Sequence, residues 1–141
     1  LGTALALGGA QLRLACFRAL GALFTFELTI SPTHTLVTAG PYAHVRHPSY
    51  TGVYALLLGA SAVLLAPGAW LAEAWLRPGA VARTAVLAWA FVSFWVAKVA
   101  YALKSTNRRV VTEDRELHRV FGARWEEWAA RVRWRLVPGV Y

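Results

Sequence analysis

Two polar stretches hold the side chains of this chain that could carry out chemistry. The first, residues 34–52, reads HTLVTAGPYAHVRHPSYTG and contains three histidines, one arginine and two tyrosines. The second, residues 107–116, reads NRRVVTEDRE. In it, Arg109 and Glu113 have the spacing that places two side chains on one face of a helix. These residue types indicate a polar site that could take an anionic substrate.

Simpler interpretations of the same residues stay open at this point. The histidines could be ordinary interfacial polar residues, and Arg109 with Glu113 could be a surface ion pair of little energetic consequence. The first stretch has no Cys, Asp or Glu and no zinc-ligand spacing, so we expect no metal site. No nucleophile elbow, phosphate-binding glycine loop or dinucleotide motif is present. The single cysteine, Cys16, is expected to be a small buried residue.

Long apolar segments surround these stretches and indicate an integral membrane protein. Apolar residues make up 57% of the 141-residue chain, against about 45–50% in soluble domains. Residues 52–72 carry no charge, and residues 84–103 carry only Lys98, so both predict transmembrane helices. Pro67 is expected to kink or end the first helix. Residues 1–28 are a further possible span. Because the chain lacks Met and begins inside an apolar stretch, we expect it to be a fragment or a processed form.

The spans predict where the two polar stretches lie. Two helices joined by a short turn at 73–83 form a hairpin, so the loop at 29–50 and the tail at 104–141 emerge on one side. Between 104 and 135 there are 9 basic and 5 acidic residues, which indicates the cytosolic side. Apolar residues at helical spacing predict one amphipathic tail helix, ended by Pro138: Leu117, Phe121, Trp125, Trp128 and Val132. No nucleic-acid motif accompanies the net charge of +8, so we expect no nucleic-acid partner.

A family resemblance follows from the order of these motifs. The first polar stretch, two spans, R-x-x-x-E and L-x-x-x-F-G resemble the isoprenylcysteine carboxyl methyltransferase family, over about residues 27–138. Trp125 and Trp128 stand where that family more often has tyrosine. The resemblance implies a single all-α membrane domain over 1–141, with a transmembrane hairpin, a cytosolic re-entrant loop and the C-terminal amphipathic helix. Full-length members of that family carry further spans before this region, so the resemblance also implies that N-terminal spans are missing here.

The resemblance also implies an activity and a set of site residues. The activity is methyl transfer from S-adenosylmethionine to the carboxylate of a C-terminal prenylated cysteine, in eukaryotes at the endoplasmic reticulum membrane with the site facing the cytosol. Arg109 and Glu113 would be catalytic, with Arg109 binding the substrate carboxylate. The implied cofactor-binding residues are Glu27, His34, Thr35, Leu36, Val37, Tyr42, His47, Pro48, Ser49, Tyr50 and Glu113.

Two alternatives are carried forward. One keeps the cofactor and changes the acceptor to a phospholipid amine or another lipid. The other is a non-catalytic membrane interaction protein, which would bind no cofactor. Binding of S-adenosylhomocysteine separates the last from both enzymes.

Overall fold

The computed structural model describes residues 1–24, 35–76 and 82–141. This part of the chain is all-helical and contains no strand. Four α-helices and three shorter helical turns make up these described residues. The α-helices are α1 (Gly2–Leu20), α2 (Pro48–Leu65), α3 (Ala82–Phe121) and α4 (Ala123–Arg131). The short turns are the 3₁₀ turns Gly21–Leu23 and Gly40–Ala43 and a π turn, Ala72–Leu76.

Helices α1 and α2 pack closely because glycines face each other across the contact. A Cβ atom added to Gly9 would lie 2.6 Å from the carbonyl oxygen of Gly52. A Cβ added to Gly59 would lie 2.5 Å from the backbone nitrogen of Ala6. Small residues that let two helix backbones approach are typical of helix pairs in membranes. Residues 1–28 were predicted as a further possible span, and the described part of them forms a helix paired with α2.

Helix α2 covers a different range from the predicted span at 52–72. It begins earlier, at Pro48, since proline fits the first turn of a helix, where its missing N–H is not needed. It ends at Leu65, where Ala66 takes an extended conformation ahead of Pro67. The chain then turns at Gly68, whose φ of 82° suits glycine, before the π turn.

Helix α3 is longer than the predicted span at 84–103, and it corrects the prediction for the tail. It runs through the apolar segment and on to Phe121, so the polar stretch at 107–116 lies on the same rigid helix. Gly122, with a φ of 51°, then interrupts the helix. The prediction of one amphipathic tail helix was therefore wrong. Its apolar residues are divided between α3 and α4, and α4 ends at Arg131, well before Pro138.

Side-chain hydrogen bonds between described residues join α2 to α3. The Tyr54 hydroxyl donates to the carbonyl oxygen of Leu103 at 3.1 Å, and Trp95 Nε1 donates to Ser61 Oγ at 3.0 Å. The contacts pair a later residue of α2 with an earlier residue of α3, so the two helices run in opposite directions. Pro48–Leu65 and Thr84–Phe121 are long and apolar enough to cross a membrane. The hairpin topology and the re-entrant loop stay predictions.

Candidate functional site

The candidate site lies where the residues before α2 meet the second half of α3 and the C-terminal segment, which we define as residues 132–137. Backbone hydrogen bonds hold this segment against the loop. The amide of Arg46 donates to Trp134 O at 2.9 Å, and the amide of His47 donates to Arg135 O at 2.8 Å. The Thr51 hydroxyl donates to Leu136 O at 2.6 Å. Residues more than eighty positions apart in sequence are thus brought together.

His47 lies between the two adjacent acids of α3. Its Nε2 is 2.9 Å from Asp114 Oδ1, and its Nδ1 is 3.5 Å from Glu113 Oε2. The His47 side chain is only 5% exposed, and Pro48 next to it is fully buried. Burial by itself lowers the pKa of His47, but the hydrogen bonds to Asp114 and Glu113 outweigh burial and raise that pKa above its ordinary value. His47 is therefore a buried, charge-paired residue.

Asp114 is the partner of two arginines as well. Arg46 Nη1 lies 2.9 Å and Arg135 Nε 3.0 Å from Asp114 Oδ2. The guanidinium of Arg46 also lies over the ring of Trp125, 5.6 Å from its centroid, a favourable position for a cation. Neither Arg46 nor Asp114 was among the site residues predicted from the sequence. The one available signal in the sequence was the pair of adjacent acids at 113 and 114, whose side chains leave the helix in different directions.

Glu113 connects the two polar stretches. One of its carboxylate oxygens accepts a hydrogen bond from the Tyr50 hydroxyl, which comes from the first stretch. The same oxygen lies 3.8 Å from Arg109 Nη2, one helical turn earlier on α3. The predicted sharing of a helix face by Arg109 and Glu113 is confirmed. The side chain of Glu113 is 19% exposed and that of Arg109 is 48% exposed, so Arg109 is open to a ligand from outside.

The remaining cofactor candidates lie around this centre. Tyr42 is in the 3₁₀ turn before α2, and its carbonyl oxygen accepts a hydrogen bond from Trp128 Nε1 at 3.2 Å. Burial is the main cause that raises the pKa of Tyr42 above its ordinary value, and neighbouring Cys16 adds to this. The buried thiol of Cys16 therefore packs beside the site.

Ser49 links the site to α1. Its carbonyl and hydroxyl oxygens are 3.3 Å and 3.4 Å from Arg13 Nη1. Of the other candidates, Thr35 is exposed, whereas Leu36 and Val37 are partly buried. Glu27 and His34 lie outside the described residues. The cofactor roles of all these residues stay predictions.

Comparison with known proteins gives one match. The model of the isoprenylcysteine carboxyl methyltransferase family matches residues 2–77, just over half of the 141-residue chain. The match includes α1, α2 and the first polar stretch, and ends before Arg109 and Glu113. No curated protein and no solved structure matches the chain. The chain belongs to the isoprenylcysteine carboxyl methyltransferase family, a family of methyltransferases.

Proposed function

We propose that this protein transfers a methyl group from S-adenosylmethionine to the carboxylate of a C-terminal prenylated cysteine. The observation that carries the proposal is the position of Glu113. Its side chain contacts His47 and Tyr50 of the first polar stretch and Arg109 of the second. Residues that the family resemblance assigns to the cofactor and to the acceptor therefore meet at one carboxylate.

The side chains around Glu113 fit the chemistry of the cofactor. A carboxylate accepts hydrogen bonds from ribose hydroxyls or from an ammonium group, and Glu113 keeps part of its surface exposed. The partly buried rings of Tyr42 and Tyr50 offer aromatic faces, which attract cations. When bound, S-adenosylmethionine supplies a methyl group attached to a positively charged sulfur. We assign the holding of that group to Glu113, Tyr42 and Tyr50, with backbone contacts from residues 35–37.

Arg109 is assigned to the acceptor carboxylate. A guanidinium binds a carboxylate through two parallel hydrogen bonds, which fixes both its place and its orientation. The acceptor is already ionised at neutral pH, because an α-carboxyl group has a pKa of about 3.5. No residue has to remove a proton from it. The task of the protein is then to orient the acceptor and to exclude water, and orientation alone can contribute roughly 7–11 kcal/mol.

The charge of the site favours an anionic acceptor over an amine. Among the described side chains, four basic residues contact the two acids of the site, Glu113 and Asp114. The four are Arg46, His47, Arg109 and Arg135. With His47 protonated, four positive charges face two negative ones. Next to Arg109, an acceptor anion is attracted, whereas an acceptor ammonium group is repelled. This balance supports a carboxylate acceptor and weighs against the phospholipid-amine alternative.

The apolar surface beside the site suits a prenyl chain. Helix α3 exposes large apolar side chains before it reaches Arg109, among them Leu87, Phe94 and Tyr101. An acceptor whose prenyl chain stays in lipid along this surface would bring its carboxylate to Arg109. We place this site at the cytosolic face of a multi-pass membrane protein, in eukaryotes in the endoplasmic reticulum.

Two measurements on the purified protein in detergent test the proposal. Calorimetry should show binding of S-adenosylhomocysteine, which Glu113→Gln weakens and the control Glu116→Gln does not. Glu116 is a suitable control because it lies on the same helix and pairs with Arg119 at 2.9 Å. Radiolabelled methyl groups should pass to acetyl-farnesylcysteine. Label found only in a phospholipid extract would favour the amine acceptor, and no binding of S-adenosylhomocysteine would contradict methyl transfer altogether.

A further inference from the structure

The two ring nitrogens of His47 both face carboxylates. Nε2 is 2.9 Å from Asp114 Oδ1, and Nδ1 is 3.5 Å from Glu113 Oε2. A neutral imidazole has a single N–H, so one of its nitrogens would turn a lone pair towards an anion. Only the doubly protonated ring donates to both acids. A cationic His47 satisfies both contacts and forms a bridge between Asp114 and Glu113.

Asp114 joins this bridge to two other parts of the chain. Its carboxylate is 8% exposed and pairs with Arg46 from the loop before α2 and with Arg135 from the C-terminal segment. Removing one partner of a buried charge strongly destabilises a folded protein, so Asp114 and its three partners stabilise one another's positions. The backbone bonds from Arg46 and His47 to the C-terminal segment reinforce the arrangement. His47, Arg46 and Arg135 together occupy both oxygens of the Asp114 carboxylate.

We propose that Asp114 is a positioning residue that acts through His47 to fix the orientation of Glu113, and that Arg135 makes this orientation depend on the C-terminal segment. The inference rests on the proposed function, because it assigns Glu113 to the cofactor. Asp114 itself touches neither ligand. Asp114 influences the orientation of Glu113 through the charge of His47.

The direction in which each substitution shifts the pKa of His47 follows from the charged and polar groups around its ring. These are Glu113 and Asp114 on α3, Arg109 one turn before them, Tyr50 on α2, the adjacent Arg46, and Arg135. Asp114→Asn removes a negative charge, so the pKa of His47 falls and the ring loses its second proton at a lower pH. Arg135→Gln removes a positive charge and moves the pKa of His47 upwards. The two variants should therefore shift the titration in opposite directions.

The experiment combines two readouts on the same samples. NMR of histidine-labelled, ligand-free protein follows the titration of His47, whose signal is identified by its loss in His47→Gln. Calorimetry measures S-adenosylhomocysteine affinity between pH 5.5 and 9. Asp114→Asn should lower the His47 midpoint by about one pH unit and weaken binding about tenfold above the new midpoint. Binding should recover as the pH is lowered. Arg135→Gln should raise the midpoint, and Glu116→Gln should leave it unchanged.

Several outcomes would overturn the inference. One is a His47 midpoint that stays constant in both variants. Another is a shifted midpoint that binding does not follow, or a loss of affinity in Asp114→Asn that is the same at every pH. If Asp114→Asn does not fold, the upward shift in Arg135→Gln decides the matter. Failure of the proposed function is distinguishable, because the unmodified protein would then bind no S-adenosylhomocysteine while His47 still titrated as expected.

Discussion

Glu113 is the residue on which both ligand assignments depend. It accepts from Tyr50 and pairs with Arg109, while His47 lies on its buried side. A carboxylate has room for about four hydrogen bonds, so these contacts leave capacity for a ligand. Substitutions of its neighbours should separate cofactor binding from acceptor binding, because each neighbour is assigned to one ligand.

Arg109→Lys tests the acceptor side. Lysine keeps the charge but cannot form the two-pronged contact with a carboxylate. We expect methyl transfer to acetyl-farnesylcysteine to fall about 10- to 100-fold, corresponding to roughly 1.5–3 kcal/mol for a charged hydrogen bond. Affinity for S-adenosylhomocysteine should change little. Arg108→Lys, on the exposed neighbouring position, is the matched control. Near-normal turnover in Arg109→Lys would contradict the assignment.

Tyr50→Phe tests the cofactor side. The change keeps the aromatic ring and removes only the hydroxyl that donates to Glu113. We expect S-adenosylhomocysteine to bind about 3- to 10-fold more weakly, because a hydrogen bond contributes about 1 kcal/mol. Tyr54→Phe removes a hydroxyl from the same helix, one that donates to Leu103 instead. It should lower thermal stability without changing affinity. Equal affinities of the two variants would show that the Tyr50 hydroxyl does not contribute to cofactor binding.

At the scale of elements, the close pairing of α1 with α2 holds the start of α2 in position at the site. Arg13 of α1 reaches Ser49 in the first turn of α2, directly before Tyr50. The Arg13 side chain crosses α2 at Gly52, where an added Cβ would lie 2.7 Å from Arg13 Cγ. Separation of the two helices would therefore move the start of α2 and the residues bound to Glu113.

Gly9→Ala tests this pairing. The new methyl group would lie 2.6 Å from Gly52 O and 2.7 Å from the nitrogen of Leu56, both rigid backbone atoms. Overpacking of this kind costs about 1–3 kcal/mol, so we expect thermal unfolding in detergent several degrees lower. Gly8→Ala is the control, because nothing lies within 4 Å of its added Cβ. Alanine favours a helix more than glycine does, so this variant should be as stable or more stable. Identical unfolding temperatures would refute a close contact at Gly9.

At the scale of the whole molecule, α3 connects an apolar segment to the polar site without a break. The site is therefore held at a fixed distance from the apolar part of α3. If that part spans a bilayer, Arg109 and Glu113 lie just beyond one face of it. The predicted topology then places the first polar stretch on the same side.

Accessibility labelling tests this topology. Single cysteines replace Ala43, Ala80 or Ala123 after Cys16 is changed to Ser, and an impermeant thiol reagent is added to oriented vesicles. Positions 43 and 123 are exposed, and position 80 lies outside the described residues. We expect 43 and 123 to react from one side and 80 from the other, because two spans separate the outer positions. Labelling of all three from the same side would rule out the hairpin.

Much of the fold and part of the site could be predicted from local sequence. Uncharged length predicted the two apolar helices, and a spacing of four predicted that Arg109 and Glu113 share a face. The run at 34–52 predicted the family, which the match over residues 2–77 confirms. These features depend on neighbouring residues or on short motifs, so a linear chain already contains them.

Only the tertiary structure decided what surrounds Asp114. Its partners Arg46, His47 and Arg135 come from two segments far apart in sequence, and no periodicity relates them. The break at Gly122 was missed because apolar spacing continues across it, whereas a φ of 51° is a property of the backbone. A buried acid pairs with the cations that lie close to it in the folded chain. The C-terminal segment folds against the start of α2, and this packing determines which cations lie near Asp114.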